Sequence, residues 1–112
     1  MRRIVPARAG GRCEICRAGQ IEMAHRIDRS DGGPWSPGNI LALCRTCHAW
    51  THQHATWAGD GGWRLASTSD YLDEPAFVFT DIGMRWVLLN DTGEYIAHDM
   101  VPVLPPGVTY AQ

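Results

Sequence analysis

The sequence predicts an α+β fold, a strand-loop-strand-helix unit stapled by a metal and followed by a small antiparallel β extension. Three observations predict it. Four cysteines fall in two Cys-x-x-Cys pairs, Cys13/Cys16 and Cys44/Cys47, separated by 27 residues. Two such turns complete a closed tetrahedral four-thiolate shell of the kind that holds structural zinc. Immediately after the second pair, His48 and His52 stand at i and i+4, on one face of a helix. Beyond Gly62 the chain changes to short aromatic and β-branched runs separated by turn residues.

Taken in order, residues 1–11 are Arg-rich and end in Gly-Gly, which suggests a mobile basic arm. A core over residues 12–58 follows. Arg12 to Arg17 reads as a metal-binding turn, and Gln20 to Asp28 as a strand candidate ending in a loop. That loop, Arg29 to Gly38, holds three Gly and two Pro, which no helix tolerates. Asn39 to Leu43 is a short apolar strand entering the Cys44 turn, and the helix is expected from about Cys47 to about Trp57, stopped by Gly59-Asp-Gly-Gly. Residues 59–112 form the β-rich extension packed on the core, with strands at Trp63 to Ala66, Phe77 to Thr80, Arg85 to Leu89 and Glu94 to Ala97. Pro102, Pro105 and Pro106 close it as an extended tail. Trp63 and Trp86 fall in alternating apolar runs and belong to the core; Trp35, in the Gly-Pro loop, either touches a partner or caps the core.

A chain of 112 residues is too short for two large cores. It lacks an apolar run of about 20 residues, and its start lacks the long apolar stretch of a signal peptide, so a cytoplasmic, intracellular protein is expected. In that setting the four cysteines favour metal-bound thiolates over disulfides. A net charge of −2 hides an asymmetry. Residues 1–52 carry eight Arg against four acids, and the remainder carries two Arg against eight acids. Every basic residue is Arg and none is Lys; Arg is the better bidentate phosphate partner, although genome composition can produce the same bias.

From about residue 12 to 57 the motifs Cys-x-x-Cys, His-Arg-Ile, Gly-Gly and Asn-Ile-Leu-x-Leu-Cys-x-x-Cys-His resemble the HNH endonuclease family, the ββα-metal or His-Me finger nucleases. Small HNH proteins of bacteriophages look similar, including the Gly-x-x-Gly-Trp and β-rich tail. The resemblance implies a metal-dependent endonuclease or nickase that hydrolyses DNA phosphodiester bonds. DNA-packaging proteins of a phage are the partners it suggests besides DNA. It implies that His25 is the general base, that Asn39 constrains the loop and fixes the imidazole by hydrogen bonding, and that His48 holds a divalent ion such as Mg²⁺, Mn²⁺ or Zn²⁺. His52 is similar to the second metal-binding histidine of colicin-type DNases. Arg26 and Arg29 are placed to hold neighbouring phosphates; the plain alternative is a solvated loop charge. His54 and His98 are read as ordinary surface or core residues.

One position departs from the family pattern. Asp or His, a metal ligand, usually precedes the base histidine, and here the residue is Ala24. Three readings stand: an alanine introduced to trap an inactive form, a naturally weakened nuclease, or a site where His48, His52 and water hold the ion. The competing function is a DNA-binding zinc module that keeps the fold without cleavage. A third is a zinc-stapled protein-interaction domain.

Overall fold

The computed structural model describes residues 2–98; the proline-rich tail expected from Pro102 lies outside them. The first element is a helix, α1 (Ile4–Ala9), rather than a mobile arm. Its Val5 and Ala9, four apart and both buried, pack with Ile40 and Ala42, and that apolar contact outweighs the segment's charge. The helix ends at Gly10, whose φ of 64° is left-handed and whose N–H bonds the Ala7 carbonyl.

Strands β1 (Ile21–His25) and β2 (Ile40–Cys44) pair antiparallel, Ile21 opposite Cys44 and His25 opposite Ile40. Every β2 residue is buried, consistent with its unbroken apolar run Ile-Leu-Ala-Leu-Cys. The Gly-Pro loop between the strands contains two short 3₁₀ turns, Arg29–Asp31 and Pro37–Asn39. A Cβ at Gly33 would collide with the Ile27 carbonyl oxygen, so only glycine lets the loop fold back on the end of β1.

The helix after β2 starts earlier than the sequence suggests and is broken. Helix α2 (Arg45–Gln53) is capped by Cys44, whose sulfur accepts from the Cys47 N–H at 3.4 Å. At His54 the backbone leaves helical geometry (φ −125°, ψ 63°), and α3 (Ala55–Asp60) follows. The His54 ring stacks on Trp50, with Nδ1 at 3.1 Å from the Trp50 carbonyl oxygen. That side chain closes the helix end as a cap would.

Strands β3 (Ala76–Thr80), β4 (Gly83–Leu89) and β5 (Tyr95–Ala97) form an antiparallel meander in the order β3-β4-β5. The strand expected at Trp63 to Ala66 does not form. Instead Trp63 and Arg64 donate their N–H groups to the Ala58 carbonyl, and Leu65 makes one parallel bridge to Ile27. Closing the end of α3 uses the donors that a ladder would need. One core cluster joins both sheets, with Cys13, Ala24, Leu41 and Leu43 packed among Ala76, Val78, Val87 and Leu89.

Two buried charges lock these layers. Arg26 is 0% exposed. Its Nε donates to Gly62 O, Nη1 to Gly38 O and Tyr71 O, and Nη2 to Glu74 O and Pro75 O, at 2.6–3.5 Å. All five guanidinium N–H groups are therefore spent on main-chain carbonyls. Burial, with Arg8 nearby, pulls its pKa down to about 10, still far above neutrality. Glu14, between the first two cysteines, accepts from Arg8 Nη2 (2.7 Å), Tyr95 Oη (2.6 Å) and the Ala42 N–H (2.8 Å). Arg8 also donates to the carbonyls of Pro37 and Ile40. Burial, and then the Glu14 charge, pushes the Tyr95 phenol upward, so it remains a donor.

Candidate functional site

Two constellations share α2, one through Cys47 and the other through His48 and His52. At the base of the hairpin, the sulfurs of Cys13, Cys16, Cys44 and Cys47 all lie within 4.8 Å of one another. Cys16 Sγ and Cys44 Sγ are 3.6 Å apart, against about 2.05 Å for a disulfide and about 3.8 Å across a tetrahedron with metal-sulfur bonds of about 2.3 Å. Backbone N–H groups of Ile15 and Cys16 point at Cys13 Sγ, and that of Cys47 at Cys44 Sγ. Burial raises the Cys47 thiol well above its ordinary range, and the hydrogen bonds with Cys16 and Cys44 raise it further. Four thiolates this close are thus held together only by a cation, and the all-sulfur donor set fits a metal such as zinc.

The second constellation is a cleft of about 360 Å³ lined by Met23, His25, Asp28, Arg29, Ser30, His48 and His52. His25 comes from the end of β1, where the strand gives way to the loop; His48 and His52 come from successive turns of α2, with rings 5.2 Å apart. His25 Nε2 is buried without a hydrogen-bond partner, and its ring meets the edge of Trp35 at 4.3 Å. Desolvation, and then the Arg29 charge, lowers the His25 pKa below 6.5, so the imidazole is neutral at physiological pH. Across the cleft, His48 Nδ1 is 2.8 Å from Glu22 Oε1. A carboxylate only accepts, so Nδ1 carries a proton, and when the ring is neutral its lone pair lies on Nε2.

Four sequence expectations change here. Arg26, expected on phosphates, is walled in by the five carbonyls, which leaves Arg29 as the loop arginine at the cleft. Asn39 holds the loop but not the imidazole: Oδ1 accepts from Ile27 N (2.9 Å), and Nδ2 donates to Ile27 O (3.2 Å) and Pro34 O (3.1 Å). His52 meets an arginine where an ion was expected, since Arg64 Nη1 lies 3.0 Å from its Nδ1 while Nη2 donates to Asp28 at 2.6 Å. Ala24, the expected ligand position, is 4% exposed among core residues, whereas the cleft takes Met23 and His25 from β1.

Glu22 and Arg64 were not foreseen as site residues. Alternation would not have found Glu22, because it shares a strand face with the buried Ala24 and not with Met23 and His25 of the cleft. Arg64 carries no local signal: it reaches the cleft only because Leu65 donates to the Arg26 carbonyl at 2.8 Å.

A hairpin whose loop returns a histidine beside a helix bearing two more, with four cysteines at its base, defines a ββα unit with a metal knuckle. Residues 13–54, rather more than a third of the chain, match the family model for HNH endonuclease. No curated protein and no solved structure matches the chain. HNH domains act on DNA, and the match points to a nuclease or DNA-binding function. No helix among the described residues is long and apolar enough to cross a membrane.

Proposed function

We propose that the protein is a metal-dependent HNH endonuclease or nickase acting on DNA phosphodiester bonds, with one zinc on Cys13, Cys16, Cys44 and Cys47 as its structural staple. The observation that carries this reading is the shared cleft of His25 and His48, with His48 oriented by Glu22. Neutral His25 takes the proton of the attacking water. Asn39 holds the loop that follows His25 by bonding both polar groups of the Ile27 backbone. Arg29 at the rim binds the flanking phosphate. His48 Nε2 offers the donor for a divalent ion, which when bound supplies charge stabilisation at the scissile phosphate. His52 and Asp28 fit that ion less well, since both are engaged by Arg64. Action in phage DNA packaging, beside packaging proteins, is the setting attached to this reading by the sequence resemblance.

Supercoiled plasmid incubated with Mn²⁺ or Mg²⁺ tests it: the chain should nick, and His25→Ala should abolish nicking while retaining zinc and fold. The second reading, a DNA-binding module without cleavage, is favoured by Ala24 in the core and Arg64 on His52. It predicts salt-dependent DNA binding with no nicking across a wide metal titration.

A further inference from the structure

Resting on the nuclease reading, we propose that Trp35 stacks on an unpaired base beside the scissile phosphate, so that the site takes single-stranded or locally unpaired DNA in preference to intact duplex. Trp35 is 52% exposed, whereas Trp86 is buried and Trp63 packs on the core. Its ring stands edge-on to His25 (centroids 4.3 Å apart, planes at 79°), and the Arg29 guanidinium sits 5.9 Å over it. A large apolar ring is thus kept in water directly beside the base histidine and a phosphate-binding cation.

The loop holds it there. Asn39 Nδ2 bonds the Pro34 carbonyl, the Asn39 N–H bonds the Ser36 carbonyl (2.8 Å), and Asp91 accepts from the Gly38 N–H (3.0 Å). Tyr71 Oη donates to the other oxygen of Asp91 at 2.8 Å. Both flanks of Trp35 are pinned, so little conformational freedom is lost when a ligand covers the ring. An indole face beside an arginine recognises a nucleobase by stacking and its phosphate by charge. In an intact duplex both faces of each base are covered by neighbours, and only an unpaired or extruded base can lie on Trp35.

The test is equilibrium binding of the full chain, without added Mg²⁺ or Mn²⁺, to one labelled oligonucleotide as a single strand, as a perfect duplex and as a duplex with one extrahelical base. The wild type should bind the single strand and the bulged duplex roughly 10-fold tighter than the perfect duplex. Trp35→Ala should bring the three affinities together, and Trp35→Phe should keep part of the difference while losing the tryptophan quench on binding the single strand. An unchanged affinity ratio in Trp35→Ala, an unchanged quench in Trp35→Phe, or wild-type preference for the perfect duplex overturns the inference. Plasmid nicking run in parallel separates the failures: nicking with no Trp35-dependent preference defeats this inference alone, and no binding to any DNA defeats both readings.

Discussion

His25 stands where burial and the Arg29 guanidinium both disfavour its imidazolium. In the proposed role of base it works only when neutral, so nicking should rise with pH through a midpoint below 6.5 and level off above it. Arg29→Ala removes the second of those causes and should move the midpoint up; an NMR titration of His25 and the rate profile should shift together. The stability sign agrees: an unfolded chain takes up this proton near 6.5, so the residue's contribution is full above that pH and is lost as pH falls through the lower folded value. Position 24 gives the opposite lesson. In the family pattern a polar residue there would restore a ligand, but Ala24 packs with Leu41 and Leu43. Ala24→His should therefore overpack the core and cost about 1–3 kcal/mol, read as a lowered urea midpoint, without lowering the Mn²⁺ concentration needed for nicking. His25 and His48 were legible as residues of one site through the family resemblance carried by the motifs around them, and both line the cleft. Glu22 and Arg64 were not, because their partners lie on other elements.

Among the elements, the β1-β2 hairpin and α2 depend most on the knuckle, since Cys44 ends one, caps the other and belongs to the sulfur cluster. Cys44→Ser should release the metal and lower the melting temperature sharply, with metal content falling from one zinc per chain by elemental analysis. Retention of both would remove the structural role. The strand-loop-strand-helix order was readable from glycine, proline and apolar runs. Helix α1 was not, since residues 4–9 owe their helix to Ile40 and Ala42, far along the chain. The break at His54 was equally hidden, because it depends on a ring stacking one turn back on Trp50.

At the scale of the molecule, Arg26 connects the site loop to segments well beyond it. Arg26→Met would leave five inward carbonyls to find new partners, each worth about 1–3 kcal/mol when left without one. Urea unfolding should show a loss of at least about 3 kcal/mol, several-fold more than Arg29→Ala at the exposed rim. Arginine beside a motif histidine reads as a phosphate ligand in sequence, and only the carbonyl cage distinguishes it from Arg29.

The family match ends at residue 54, yet Gly62, Tyr71, Glu74 and Pro75 close on Arg26, and Arg8 and Tyr95 close on Glu14. The matched unit is therefore no portable cassette. Cut out as residues 13–54, it would carry two charged side chains stripped of most of their acceptors and donors, and adding zinc should fail to give it the dispersed NMR spectrum of the full chain. Grafted between foreign flanks, it would need a substitute for both cradles before the histidine cleft could take shape.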